Sequence, residues 1–268
     1  MGSAGALRIE HALVVALIVA CFATPGSRRF ARLFMPMALC GVLYDVQKIL
    51  PPLGTTVHVA GPYLAERLLF GGGATPNELL ARHPSVWLDV VCAVPYLTYI
   101  LESLALFAFL YARDVERAWR FGWAFFAVNV AGMVTIALFP CAPPWYVAEH
   151  GLGPAILGTR GHPAAALRFD ALVGAPVFAT LYTRESDVFG AIPSLHAAFP
   201  VLVALTLRPR SAMRLAAWAY AGCMLFAAVY LQHHYVIDVM AGVAYAIAGH
   251  VTTHIVTNRR SPSHRVSH

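Results

Sequence analysis

Charge is scarce in this sequence. Only 12% of its 268 residues are charged, while 59% are hydrophobic; ordinary soluble domains run nearer to about a quarter charged. A soluble globule of this length could not cover itself with so few charges, whereas a chain whose solvent is mostly lipid can do without them. Lysine is nearly absent, Lys48 being the only one, so the net charge of +6 rests on arginine. No basic stripe with interleaved aromatics accompanies that charge, which argues against a nucleic-acid surface. Paired cysteines are also lacking: Cys21, Cys40, Cys92, Cys141 and Cys223 follow neither a disulfide framework nor a zinc spacing. Four of them lie in apolar runs, where cysteine acts as a small hydrophobe, and Cys141 falls in a loop. Internal repeats and low-complexity tracts are missing. The first six residues fail the myristoylation pattern at Ala6. The apolar stretch 11–24 runs into Arg28, Arg29 and Arg32, and so reads as a stop-transfer anchor rather than a cleaved signal peptide.

What is present is a series of long apolar runs, at 10–26, 31–50, 85–111, 118–140, 192–208, 212–231 and 235–257. A helix needs roughly 20 such residues to cross a bilayer. The runs predict an all-α, polytopic membrane helix bundle forming one catalytic domain over 1–258, with a disordered polar tail at 259–268. Arginines gather in alternate connections (Arg28/Arg29/Arg32, Arg113/Arg117/Arg120, Arg208/Arg210/Arg214, Arg259/Arg260/Arg265), whereas acids and bases roughly cancel in 51–84 and 141–190. The positive-inside rule puts the arginine-rich ends and the C-terminus in the cytoplasm, and the N-terminus outside. Within 51–84, Leu64, Leu68 and Leu69 beside Glu66 and Arg67 suggest an interfacial helix. Thr75-Pro76-Asn77-Glu78 reads as a capping box with proline at the first helical position.

Two segments carry the chemistry. In Phe189–His196, Gly190 makes a turn and Pro193 suits the first turn of the fifth span, whose free N–H groups would form an anion site facing Ser194 and His196. In His233-His234-Tyr235-Val236-Ile237-Asp238, His234 and Asp238 are four apart and share a helical face. A carboxylate there can bond one ring nitrogen and aim the other at a substrate. A structural His–Asp pair, or metal ligation by His233, His234 and Asp238, are the competing readings. The arginine-derived topology brings both segments to the outer face, which favours one shared site. Other candidates are Trp145 and Tyr146, which also suit an interfacial aromatic belt, and Asp45 with Lys48, for which pairing with each other and neutralising a phosphate are the two readings. Arg168 and Asp170 are candidates to hold a phosphate and a polyhydroxy head group. Asp89 and Glu102 read as interhelical glue.

These residues resemble the active-site motifs of the type 2 phosphatidic acid phosphatase superfamily, and more closely the inositol phosphorylceramide synthases with their bacterial relatives. The runs FPCAPPWY (139–146), HGLGPA (150–155), LRFD (167–170), FGAIPSLHA (189–197) and HHYVIDVMAG (233–242), with LYDVQK (43–48) upstream, are similar to that family and occur in its order. The resemblance implies a six-helix core, here with one extra N-terminal helix at 10–26, and an outer active-site loop at 141–190. It implies cofactor-free and metal-independent transfer of phosphoinositol from phosphatidylinositol to a ceramide-like lipid alcohol; the arginine-for-lysine bias and the compact loops suggest a bacterial inner membrane. His234 would be the nucleophile that becomes phosphohistidine, Asp238 would orient it, and His196 would act as acid and then base. Trp145, Tyr146, Ser194 and His233 join Lys48, Asp45, Arg168 and Asp170 as substrate-binding expectations. Two departures stand out. The superfamily's Ser-Arg falls on Ala227 and Ala228, and its Arg-Pro on Pro144 and Trp145. Their loss shifts the reading from a lipid phosphatase toward head-group transfer, and leaves Lys48 and Arg168 to neutralise the phosphate. Gln232 stands where the family carries serine. A lipid phosphatase, transfer of another head group, and a non-enzymatic transporter or scaffold are the alternatives.

Overall fold

The computed structural model describes residues 9–49, 56–182 and 188–259. Helix α1 (Ile9–Ala23) folds back on α2 (Pro25–Ile49) across Thr24. Thr24 and Ser27 exchange backbone-to-hydroxyl hydrogen bonds of 2.9 and 3.1 Å, and Pro25 follows the cap, so a helix starts there. This corrects the expected boundary: Arg28, Arg29 and Arg32 lie in the first turns of α2, not in a connection. Leu17 of α1 packs on Ala31 and Ala38 of α2, small side chains that let the helices close. The last turn of α2 carries Asp45 and Lys48; their side chains, like the tail 260–268, lie outside the described residues.

Two short helices follow, α3 (Ala60–Leu69) and α4 (Pro76–Ala81). The predicted capping box is present: the Thr75 hydroxyl accepts the Glu78 N–H, and Glu78 accepts the Thr75 N–H at 2.8 Å. In α3 the usual amphipathic order is inverted. Leu64, Leu68 and Leu69 are exposed while Glu66 is fully buried.

The bundle proper comprises α5 (Val86–Arg113) and α6 (Val115–Leu138), then, after a connection holding α7 (Pro144–His150), α8 (Leu167–Val173) and α9 (Val177–Tyr182), the helices α10 (Leu195–Thr206), α11 (Ala212–Tyr230) and α12 (Val236–Arg259). Among the described residues, α5, α6, α11 and α12 are long and apolar enough to cross a membrane. The chain is an integral membrane protein of helical fold. Of the other three expected spans, α1 and α10 have 15 and 12 residues, and α2 contains Pro36. Helix α10 is the central post. Every residue from Ala197 to Ala204 is buried, among α5, α6, α11 and α12. Glycines permit the closest crossings: a β-carbon on Gly249 of α12 would stand 2.5 Å from Val128 of α6, and one on Gly132 of α6 would stand 2.8 Å from Leu195.

Candidate active site

The site is built where α11 ends and α12 and α10 begin. Helix α11 closes when the His233 and His234 N–H groups both donate to the Ala228 carbonyl, at 3.2 and 3.0 Å. Gln232 takes a left-handed conformation (φ 68°) in that turn. Its side-chain amide donates to the Asn77 carbonyl at 3.0 Å, and the buried Asn77 amide donates to the carbonyls of Val229 and His234 at 2.9 and 3.0 Å. Gln232, the departure from serine, is thus a clasp on α4.

The first N–H groups of α12 have no intrahelical acceptors, as at any helix start. Here two carboxylates satisfy them. Asp238 accepts the Tyr235 N–H at 2.8 Å; Glu66, reaching in from α3, accepts those of Val236 and Ile237 at 2.9 and 3.2 Å. Burial raises the Glu66 carboxyl above its ordinary value, and the two N–H groups oppose that rise. Helix α10 begins at Leu195 with Ser194 as its cap, its hydroxyl accepting the Ala197 N–H at 3.3 Å. Pro193 therefore precedes the cap rather than occupying the first turn, and the Ser194 hydroxyl is engaged with the helix backbone. The Ser194 N–H donates to the Asp238 carbonyl at 3.0 Å, which ties the start of α10 to α12.

His196 and His234 meet. Nδ1 of His196 lies 3.2 Å from Nε2 of His234, and Nδ1 of His234 lies 2.9 Å from the Ala191 carbonyl oxygen. A carbonyl has no proton to give, so Nδ1 of His234 carries the hydrogen. A neutral His234 then presents a bare Nε2 toward His196. The nearest partner of His234 Nδ1 is this carbonyl; the Asp238 carboxylate stands 3.7 Å away, in ion-pair reach but beyond a hydrogen bond. Three extended segments fix Ala191. The His58 N–H donates to Pro140, Ala142 to His58, Cys141 to Phe189 and Ala191 to Cys141, at 2.7–3.3 Å. Cys141 is fully buried, and burial lifts its thiol to about 12, which removes it as a nucleophile.

Aromatic rings wall the pair. Tyr96 stacks on His196 and His233, with centroids 4.5 and 5.3 Å away, and Tyr182 stacks on the other face of His233 at 4.7 Å. His233 bonds to the Pro163 carbonyl and is held neutral, its value pushed down to about 3 by burial and then by His234. Its Nε2, the bare nitrogen of that neutral ring, is buried with no donor to it among the described residues. In this stack, His233 does not join His234 and Asp238 as a ligand trio; among the described residues no three such side chains converge on a metal position.

The remaining candidates have partners of their own. Arg168 pairs with Asp89 at 2.7 Å and lies 5.0 Å over the Tyr230 ring, whose hydroxyl also donates to Asp89 at 2.9 Å. Asp89 so joins α5, α8 and α11. Both Asp170 oxygens accept N–H groups at the start of α9, from Phe178 and Ala179 at 2.9 and 2.8 Å. That cap holds the helix bearing Tyr182. Trp145 and Tyr146 are 7% and 1% exposed, packed with Val59, Ala142 and Val188, and Tyr146 accepts the Ile156 N–H at 2.8 Å. Neither sits in an aromatic belt, because the connection after α6 folds over them. Glu66 and Asn77 were read in the sequence only as parts of an interfacial helix and a capping box, and Tyr96 and Tyr182 went unread; the one available signal was an acid among leucines at Glu66.

A helical membrane bundle with two histidines from separate segments and a carboxylate one turn further on belongs to the PAP2 superfamily. The superfamily's sequence profile matches residues 62–252 of this chain. The chain is 36% identical to the phosphoinositol dihydroceramide synthase of Bacteroides thetaiotaomicron, over 91% of its own length and 83% of that protein. It is 33% identical to the inositol phosphorylceramide synthase catalytic subunit of Schizosaccharomyces pombe, over 68% of this chain and 43% of the relative. With the inositol phosphorylceramide synthase of Candida albicans it shares 30% identity over 85% of this chain and 49% of the relative. It thus spans about half or less of the fungal relatives. These relatives are enzymes of sphingolipid synthesis by name. No solved structure matches the chain.

Proposed function

We propose that this protein transfers a phosphoinositol head group from phosphatidylinositol to ceramide or a similar lipid alcohol, through a phosphohistidine on His234. The observation that carries this reading is the 3.2 Å approach of His196 Nδ1 to His234 Nε2, with His234 Nδ1 pinned by the Ala191 carbonyl. The pinned tautomer leaves Nε2 as the free electron pair, and an acid–base partner stands within one hydrogen bond of it.

The steps balance as follows. Nε2 of His234 attacks the lipid phosphorus while the bond from phosphorus to the diacylglycerol oxygen breaks, and imidazolium His196 gives that oxygen its proton. The acceptor hydroxyl then gives its proton to His196 and attacks phosphorus, and the N–P bond breaks to restore His234. In each transition state the phosphate takes the place of the direct His–His contact. General acid–base help of this kind contributes roughly 10²–10⁴-fold. The Asp238 carboxylate, 3.7 Å from Nδ1, stabilises positive charge on the His234 ring.

Head-group transfer is favoured over phosphate release by Ala227 and Ala228, which stand where lipid phosphatases carry Ser-Arg and are fully buried. Arg168, bonded to Asp89 through Nε, is our candidate for the phosphate, with Lys48; the orphan His233 Nε2 is our candidate head-group contact. The catalytic unit covers residues 1–258, with 141–190 over the site. Arginine placement supports a site on the outer face of a bacterial inner membrane and a cytoplasmic C-terminus.

The test is mass spectrometry of lipids made by the purified protein from phosphatidylinositol and ceramide, with His234→Ala, His196→Ala and Asp238→Ala alongside. Each variant should elute as the parent does and lose nearly all transfer. Near-parental transfer in His234→Ala would remove the nucleophile assignment.

A further inference from the structure

The far end of the bundle holds a cavity that the transfer reaction does not use. It encloses about 440 Å³ where α6, α10, α11 and α12 come together, and Arg117, Arg120, Arg208, Arg214, His250 and His254 line it. Thr206 also lines it, ten residues along α10 from His196, so the cavity lies about 15 Å from the active site at 1.5 Å per residue.

Local duties account for part of this basic group. Arg117 donates to the Thr206 carbonyl, and Arg214 to that of Leu207 at 3.5 Å, so both arginines face the open carbonyl end of α10. The other two arginines have no such duty. Arg120 is bonded to Glu116, and its Nη1 lies 3.4 Å from Nδ1 of His254. Its Nε is buried with no acceptor among the described residues. Arg208 is exposed at the rim. The carboxylates in reach among the described residues are Glu116 and Asp114, the second acting on Arg117. Four guanidiniums face two carboxylates, so two positive charges stay uncompensated even with both histidines neutral. A buried, unpaired guanidinium N–H is costly, and an anion in the cavity would relieve it. Planar guanidinium forks suit tetrahedral oxyanions, on which they form paired hydrogen bonds.

We propose that this cavity binds a doubly charged phosphate group, carried either by an anionic lipid head group or by a soluble phosphate compound. The site is separate from the histidine pair, and its test does not depend on the transfer reaction.

Thermal unfolding of the purified full chain is followed with inorganic pyrophosphate in detergent, and in phosphatidylcholine nanodiscs with or without phosphatidic acid. The same series is run on R120Q/R208Q, which spares the arginines that cap α10, on R208Q alone, which alters only the exposed rim, and on H234A. Stabilisation of the parent and H234A, with an affinity weakened about ten-fold or more in the arginine variants, is the expected result. Response to pyrophosphate assigns a soluble phosphate, and response to phosphatidic acid alone assigns the lipid. No stabilisation by either probe overturns the proposal. So does equal stabilisation of parent and arginine variants, or stabilisation lost only in H234A.

Discussion

Gly242 of α12 lies against the carbonyl of Ser194, the residue that caps α10. A β-carbon on Gly242 would fall well inside contact distance of that oxygen and 3.3 Å from Cβ of Ala197. The separation of His196 from His234 thus depends on a side chain that is absent. Gly242→Ala should push the start of α10 away from α12. A misplacement of about 1 Å can cost roughly 10²-fold in rate. We expect a loss of at least that order in lipid transfer together with a fall in stability of about 1–3 kcal/mol or more, since the atom met is backbone, measured on the purified variant. Parental activity would show that α10 can shift without moving His196.

Glu66 gives a pH-dependent signature. Because burial raises its carboxyl, the folded protein holds that proton to a higher pH than the unfolded chain does. Folding stability therefore falls as pH climbs from the ordinary carboxylate value through the raised one. Glu66→Gln should flatten this part of the profile, as read from unfolding midpoints across that range. Glu66→Ala, which leaves the Val236 and Ile237 N–H groups without acceptors, should destabilise at every pH, by about 1–3 kcal/mol per group.

Asp238 combines a backbone duty with an electrostatic one. Asparagine in its place can still accept the Tyr235 N–H but carries no charge near His234. Asp238→Asn should keep the parent's thermal stability within about 1 kcal/mol and lose roughly 10²–10⁴-fold in turnover. Turnover near the parent's would mean that the Ala191 carbonyl alone suffices to orient the ring.

Asp170 offers a test between a cap and a head-group ligand. If its work is to start α9, Asp170→Asn, whose single amide oxygen can accept only one of the two N–H groups, should lose about 1 kcal/mol of stability and Asp170→Ala more, with KM for phosphatidylinositol near the parent's in both. A large rise in KM for phosphatidylinositol in Asp170→Asn, at unchanged stability, would restore the head-group assignment.

His233 is separable in the same manner. His233→Phe preserves a flat ring between Tyr96 and Tyr182 and removes only the nitrogens. It should fold normally and raise KM for phosphatidylinositol more than it lowers kcat, the pattern of a lost binding contact. An unchanged KM would leave His233 with its stacking role alone.

Much was legible in the residues themselves. The apolar runs foretold the bundle, because a chain this poor in charge has few other ways to satisfy its backbone. Thr75 and Glu78 declared a cap, and the spacing of His234 and Asp238 put them on one turn, since both depend on neighbours a few positions away. The start of α2 at Pro25 was equally local and was obscured by the arginines that follow it.

The sequence by itself determined the membrane class, the helices and the residue types able to move a phosphoryl group. Tertiary structure decided how those residues are held. The oxygen nearest His234 Nδ1 belongs to the backbone of Ala191, and a carbonyl has no residue-type signature to read. Asn77 clasps Val229 from 152 positions away, and Glu66 caps α12 from 170. Pairings at such separations leave no periodicity in the chain; they exist only once packing has brought the helix ends together and excluded water from the N–H groups between them.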